Sequence, residues 1–417
     1  MSKSAKTFII LVLMTLMSLI ILNRTTIQEI YVDTIHDVNL NRYRNVPSCE
    51  PKKSIAFLKT HKTGSTTLAR IIEHYALVNK LDIVRKAGET AYLHYTNQNF
   101  DFNSKKNFLP PKGVMYGDYN NYTYNVFTLH ARYDRPVYES FMAKDSIYIT
   151  LLRNPVTQFE STFDYFKIGS IIGKGKDNMS KTRKLEMFLS NSSYYWEKLS
   201  SSKQKRSFNN QIWDLGVDPG ECSNELLVNY TIRKLDNEFD FVMITEMFDE
   251  SLLVLKKKLC WKFHDILYLR RNQRSERISL NEKLRKKIAE WNSIDMKLYA
   301  HFKKRLQDHI DNYGPTFEAD LAAFRSMISF VYEQCVLTEE VKTPKKKIRY
   351  NTKTGNLTSE ICKRVDTLDV CDFGDGYILS LDLISVCKDV TSHDAHLNRS
   401  IRKMMKGTWP LTSSQTS

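Results

Sequence analysis

No two of the seven cysteines stand at the C-x-x-C spacing of a zinc site. No zinc finger, basic leucine zipper or RRM signature occurs either, although the chain carries a formal charge of +15. A kinase-type phosphate loop, G-x-x-x-x-G-K-[ST], is missing, as is any internal repeat. No convincing small-x-small cleavage site follows the first apolar run. These gaps speak against a structural zinc module, a nucleic-acid reader and a nucleotide kinase. The surplus Lys and Arg is left to solvated helix faces and to polyanionic ligands other than nucleic acid.

What is present suits a folded body. With 42% hydrophobic and 12% aromatic residues over 417 positions, the chain can offset its ordering entropy in one large domain, or in a domain plus an appendage. The apolar run Thr7 to Leu22 follows Lys3 and Lys6 and is broken by Asn23 and Arg24. It is short for a spanning helix, so a cleavable signal peptide competes with a retained anchor; the missing cleavage site favours a signal-anchor with its basic tail in the cytosol. The expected layout is a cytoplasmic tail (1–6), a transmembrane anchor (7–22), a lumenal stem (23–50), a catalytic domain (51–315) and a helical, cysteine-containing extension (316–417). Sequons at Asn23, Asn121, Asn178, Asn191, Asn229, Asn356 and Asn398 agree with a lumenal body. So do the cysteines, which read as disulfides with one thiol left over.

From Ser54 the grammar becomes strand, loop, helix. SIAFL has strand length, THKTGST is a polar turn, and Leu68, Ile71, Ile72, Tyr75 and Val78 recur at helical spacing from Thr67 to Lys80. SIYITLL (Ser146 to Leu152) repeats the pattern, with RNP stopping the strand before a helix whose buried face is marked by Phe159, Phe163 and Phe166. FDFVMI (Phe239 to Ile244) precedes a third helix. Strands alternating with helices predict an α/β fold with a central parallel sheet flanked by helices. Ser279 and Glu282 form a capping box for one long helix carrying Leu284 through Leu306, ended by Gly314 and Pro315. VKTPKKKIRY (Val341 to Tyr350) reads as a basic, exposed linker.

The segment FLKTHKTGSTT (Phe57 to Thr67) carries the chemistry. A turn with Gly64, hydroxyls at Thr60, Thr63, Ser65, Thr66 and Thr67, cations at Lys59 and Lys62, and a helix N-terminus together make a site for an oxyanion. A Ser/Thr-rich start alone would be an ordinary capped helix; two lysines flanking the turn are not needed for capping. Lys62 precedes Gly64 rather than following it, which is the wrong order for a kinase.

That order resembles the 5′-phosphosulfate loop of sulfotransferases, whose fold is P-loop-like and whose co-substrate is 3′-phosphoadenosine 5′-phosphosulfate. Arg153 and Ser161 in LLRNPVTQFESTF fall at the spacing of the pair that holds the donor's 3′-phosphate in such enzymes, an Arg at a strand end and a Ser eight positions on. FLKTHKTGSTT, the HAR segment at His130 to Arg132, LLRNPVTQFESTF, TEMFDESLLVLKKKLCW (Thr245 to Trp261) and WNSIDMKLYAHF (Trp291 to Phe302) resemble, more narrowly, the galactose 3-O-sulfotransferase family, which includes galactosylceramide sulfotransferase. The resemblance spans roughly Ser54 to Leu306.

It implies sulfuryl transfer to the 3-hydroxyl of a β-galactosyl residue on a glycolipid or glycan, in a single-pass type II protein of the Golgi membrane. No metal and no nucleic acid are required, and pairing with a second copy is open. Lys62 would neutralise the leaving phosphate, while Lys59 and the hydroxyls hold it. The acceptor hydroxyl needs a base, and histidine titrates near lumenal pH. His130 is the first candidate, His61 its main competitor, with His94 and Glu160 behind; Arg132 would orient the acceptor or make an ion pair. Arg270 to Arg274 would cover the nucleotide or form a solvated loop. Rival readings are a kinase, a Golgi carbohydrate sulfotransferase with another acceptor, and a non-catalytic glycan-binding protein on the same scaffold.

Overall fold

The structure, a computed structural model, describes residues 49–85, 108–110, 122–173, 179–269, 277–342, 345–350, 362–365, 368–372 and 378–381, with side chains as far as Cys335. The expected anchor (7–22), nearly all of the stem, His94 and the 270–274 segment lie outside the described residues. No helix among the described residues is long and apolar enough to cross a membrane. The chain divides into Met1–Glu50 and Pro51–Ser417, and the sheet lies in the second unit.

Four strands, β1 (Ile55–Leu58), β2 (Val126–Phe127), β3 (Ile147–Leu152) and β4 (Phe241–Ile244), form a sheet in the order β2-β1-β3-β4. Every pair is parallel, with Ile55 to Leu58 registered on Ile147 to Thr150 and Ile149 to Leu152 on Phe241 to Ile244. All four residues of β1 are at most 1% exposed. That explains why the strand reads as an unbroken apolar run: helices cover both faces of a parallel sheet, so no face alternates to polar. Each large side chain buried there contributes about 1.5–3 kcal/mol.

Helices follow the strands as the parallel topology requires. β1 runs through the loop into α1 (Ser65–Val78), which buries Leu68, Ile71, Ile72 and Tyr75; Val78, expected on that face, is the last helical residue and points to solvent at 64% exposure. β3 runs into α2 (Pro155–Tyr165), started by the Asn154 side chain accepting from Val156 N–H at 3.0 Å and by a proline at the first turn. Phe159 and Phe163 are buried as predicted. Phe166 falls just past the helix end and is only half-buried. Among the helices between α2 and β4 are α3 (Ser201–Ser207), α4 (Asn210–Asp214) and α5 (Glu225–Glu238). β4 leads into α6 (Phe248–Leu259), with acids in its first turn and three lysines in its last, each sign matching the helix dipole.

The long C-terminal helix is two helices, α7 (Glu282–Trp291) and α8 (Ser293–Asp311). Asn281, not Ser279, caps the first by accepting from Leu284 N–H at 2.9 Å. The break is at Asn292, whose buried side chain accepts from Asn209 N–H at 2.9 Å. A local apolar period cannot register such a long-range bond. α9 (Phe317–Cys335) contributes Phe324, Met327 and Val331 to the same core as the sheet. The basic 341–350 stretch, read as a linker, belongs instead to an antiparallel pair, β5 (Val336–Lys342) with β6 (Lys345–Tyr350). Beyond it, β7 (Cys362–Val365), β8 (Leu368–Asp372) and β9 (Ile378–Leu381) form an antiparallel sheet in that order. Cys49, Cys260 and Cys335 are disulfide-bonded and Cys222 is a buried free thiol, in line with the expected disulfides and leftover cysteine.

Candidate active site

The loop from β1 to α1 is held from within. Thr60 Oγ1 donates to Leu151 O at 2.5 Å and lies 2.8 Å from Thr63 Oγ1, while Ser65 Oγ donates to Thr60 O at 2.7 Å. Three of the hydroxyls expected to meet a phosphate therefore shape the loop, and Thr66 and Thr67 are the half-exposed ones. Lys62 and Gly64 take left-handed backbone, φ 61° and 83°, which turns the chain sharply into the helix N-terminus. Thr245 Oγ1, just past β4, ties Thr63 O at 2.5 Å and Leu152 O at 2.9 Å, pinning the loop to the end of β3. Lys62 Nζ rests 3.7 Å over the Tyr165 ring.

Arg153 stands directly after β3, as expected. Gln211 holds its backbone from both sides, accepting from Arg153 N–H and donating to Arg153 O, each at 2.8 Å. Its guanidinium donates to Thr157 Oγ1 at 3.0 Å and to Lys62 O at 3.1 Å, so the strand end and the loop are one unit. Ser161 lies on α2, buried. Lys59 sits among Glu73, Arg85 and Arg70; burial, ahead of the attraction of Glu73, lowers its pKa to about 8.

The two histidine candidates meet face to face, their rings 4.3 Å apart and 21° from parallel. His61 is fixed at three atoms. Its N–H donates to Asp214 Oδ2 at 2.7 Å, its Nδ1 lies 3.0 Å from the same oxygen, and its carbonyl accepts from Gln158 Nε2 at 3.0 Å. His130 Nδ1 lies 2.8 Å from Lys59 O. A carbonyl and a carboxylate can only accept, which assigns the proton of each neutral ring to Nδ1 and leaves Nε2 as a lone pair. Both imidazoles are thus set up as acceptors of a proton. They differ in what stands behind them. Asp214, fully buried, would stabilise an imidazolium at His61. His130 has only a neutral carbonyl; burial, then the neighbouring His61, Lys59 and Arg206, hold its pKa well below the ordinary value.

Glu160 is buried on α2, where its carboxylate accepts from Ile278 N–H at 2.9 Å. Arg132 makes no ion pair among the described residues: it donates to Gly216 O at 2.8 Å and its guanidinium lies 4.0 Å over Trp213. Gly216, with φ 90°, packs so close that a Cβ there would meet Tyr133 O at 2.2 Å. Sequence reasoning missed Gln158, Asn210, Gln211, Asp214, Thr245 and Asp295. Asp295 accepts from Gln211 and Ile212 N–H at 2.9 Å each and anchors α4, while burial pushes its own pKa up to about 7. Among the described residues no cluster of His, Cys, Asp and Glu is arranged to hold a metal ion.

A parallel sheet whose strand end turns through glycine into a helix N-terminus, with lysine and arginine at the turn and a carboxylate-backed histidine inside it, defines an α/β protein equipped to receive an oxyanion next to a base. The chain belongs to the galactose-3-O-sulfotransferase family, whose profile matches residues 1–355. It is 30% identical over 258 residues to galactose-3-O-sulfotransferase 2 of Homo sapiens, a match covering 61% of each chain. It is 29% identical over 268 residues to galactosylceramide sulfotransferase of Mus musculus, covering 64% of this chain and 60% of that one. Against galactose-3-O-sulfotransferase 3 of Homo sapiens the identity is 28% over 312 residues, covering 73% and 68%. The first two matches span less than two thirds of the relatives' own length.

Proposed function

We propose that this protein transfers a sulfuryl group from 3′-phosphoadenosine 5′-phosphosulfate to the 3-hydroxyl of a β-galactosyl residue on a glycolipid or glycan, in the Golgi lumen, as a type II protein held by residues 7–22. The observation that carries the reading is the carboxylate-backed imidazole of His61 inside the glycine-turned loop. Base, leaving-group cation and oxyanion cradle are then supplied within one stretch of chain. The sheet belongs, on this reading, to the P-loop-like sulfotransferase fold.

His61 is the better base of the stacked pair, which reverses the preference for His130 that the HAR segment suggested. As its Nε2 takes the proton of the galactose 3-hydroxyl, the bond from that oxygen to sulfur forms and the bond from sulfur to the bridging phosphate oxygen breaks. Asp214 stabilises the imidazolium so produced. Lys62 stands at the turn to neutralise charge on the departing phosphate, and the free N–H groups opening α1 hold its other oxygens. Arg153 and Ser161 serve the 3′-phosphate. His130, kept neutral, packs against His61 and disfavours a second positive charge there.

The test is full-length protein incubated with labelled sulfate donor and glycans ending in β-galactose or in other sugars, followed by linkage analysis of the product. Label on O3 of galactose is expected. No transfer to any galactoside, from folded protein that binds adenosine 3′,5′-bisphosphate, would sink the reading. Retention of ATP but not of the bisphosphate would restore the kinase.

A further inference from the structure

Beside His61 opens a cleft whose wall is completed by Ser202, Lys205, Arg206, Asn210, Trp213 and Asp214. The imidazole is the one donor-loop side chain in this wall; Lys59, Lys62, Thr63 to Thr67, Arg153 and Ser161 do not line it. The cleft thus shares His61 with the donor loop and none of the other residues assigned to the donor, which makes it the candidate place for the sugar that presents its hydroxyl.

The chemistry of the wall is one-sided. Its only carboxylate, Asp214, is occupied: Oδ2 accepts from His61 N–H, Nδ1 lies within 3.2 Å of both oxygens, and Oδ1 accepts from Asn210 Nδ2 at 3.3 Å. Lys205 and Arg206 are half-buried cations. Lys205 has no carboxylate partner among the described residues, and its Nζ lies 4.9 Å over Trp213. Arg132 packs on the same indole at 4.0 Å, so the aromatic ring holds two cations in place and adds no negative charge of its own. A neutral sugar would be met by acceptors as well as donors, since each hydroxyl both gives and takes a hydrogen bond. In this wall Asp214 is occupied, Asn210 Oδ1 already accepts from Gln158 and Ser202 Oγ from Arg206, and His61 Nε2 is assigned to the galactose hydroxyl, so cationic donors face the rest of the sugar.

We propose that this cleft is an acceptor subsite for an anionic substituent, a sulfate ester or a carboxylate, carried by the sugar next to the galactose, with Lys205 as its principal contact. The inference rests on the sulfotransferase reading for the identity of the sugar. A charge-assisted bond from a half-buried ammonium is stronger than a neutral one and selects acceptors by charge. Association should also be sensitive to salt over the range where the screening length falls to a few ångströms.

The experiment compares three β-galactosyl disaccharides that differ only in the second sugar: unsubstituted, sulfated, and bearing a uronic carboxylate. Transfer and equilibrium binding are measured with full-length protein at low and high salt. The anionic disaccharides are expected to show kcat/KM and affinity about tenfold above the neutral one at low salt, in the range a charge-assisted bond supplies. Preference for one anion over the other tells sulfate from carboxylate. In Lys205→Gln and Lys205→Glu, checked for unchanged thermal unfolding, the anionic-to-neutral ratio should fall to near one and below one respectively.

Equal binding of the three sugars by the wild type, or a ratio untouched by either variant, overturns the proposal. So does a rise in donor KM at a constant acceptor ratio, which would make Lys205 a donor contact. If no disaccharide is sulfated but the anionic ones bind about tenfold tighter through Lys205, the subsite stands and the transferase reading fails.

Discussion

Two stretches converge on His61 and are built in opposite ways. Lys59 to Thr67 closes bonds within itself, Thr60 with Thr63 and Ser65, and is tied down at its carbonyls and hydroxyls by Leu151, Arg153 and Thr245 at the ends of β3 and β4. Asn209 to Gly216 is held by distant partners: Asn292 before α8, Asp295 in it, Arg153 after β3, Tyr133 and His61 itself. On the proposed reading the first stretch supplies the oxyanion cradle. The second decides where the cradle's histidine points and what charge stands behind it. A glycine-turned loop can receive an anion in many protein families; under the proposed mechanism the distant stretch makes this one half of an acid–base pair.

The comparison is broken most directly at the bond between the stretches. Under the proposed mechanism His61→Ala should lower kcat about 10²–10⁴-fold, the range for losing a general base. Asp214→Ala should come close to it, and the double variant should be scarcely worse than either single one, because two groups that act as a unit do not add. Additive losses, read from steady-state rates, would separate Asp214 from the histidine. Within the local stretch, Lys62→Ala should lower turnover about 10²–10³-fold, with the affinity for adenosine 3′,5′-bisphosphate changed far less in calorimetry. The reverse pattern would make Lys62 a binding residue and require another leaving-group cation.

The same contrast explains what could be read from the sequence. Strands, the order of loop and helix, and the positions of Lys62, Gly64, Arg153 and Ser161 were legible because apolar runs and motif spacing are local. Asp214 was not: its partner lies 153 positions earlier, and NNQIWDLG has neither a period nor a motif to single out the acid. The choice between His61 and His130 rests on the same kind of distant contact, since under the proposed mechanism it depends on which ring has a carboxylate behind it. Asn292 marks a break in a helix whose apolar period continues through it: its side chain donates to Ile288 O of its own turn and accepts from the distant Asn209 N–H, a bond no local period records. Of the binding side, only Arg132 drew notice, and its guanidinium turned out to lie on Trp213.

The anchoring of the distant stretch can be tested through stability. Asp295→Ala leaves Gln211 N–H and Ile212 N–H buried without their acceptor, each costing about 1–3 kcal/mol. The denaturant midpoint should fall with the slope unchanged. Activity should fall further than the unfolded fraction explains, because α4 also carries Asp214. An intact midpoint would mean that α4 is positioned by Gly216 and Asn209 alone.

The smallest expected effect concerns His130, the imidazole without a carboxylate. Its folded pKa lies below the ordinary 6.5 because burial, with His61, Lys59 and Arg206 around it, disfavours the charged ring. The unfolded chain then binds a proton that the folded one refuses. Stability is unaffected well above pH 6.5, and is lost as pH falls through 6.5 toward the depressed folded value. His130→Gln keeps a side chain that can donate to Lys59 O but cannot titrate. The difference in unfolding free energy between wild type and variant should therefore shift toward the variant on going from neutral to mildly acidic pH, measured by urea titration at each pH. Parallel pH profiles would mean that the ring protonates as readily in the fold as out of it. His130 would then be charged beside His61 at mildly acidic pH, and the assignment of the base to the carboxylate-backed ring would lose its neutral neighbour.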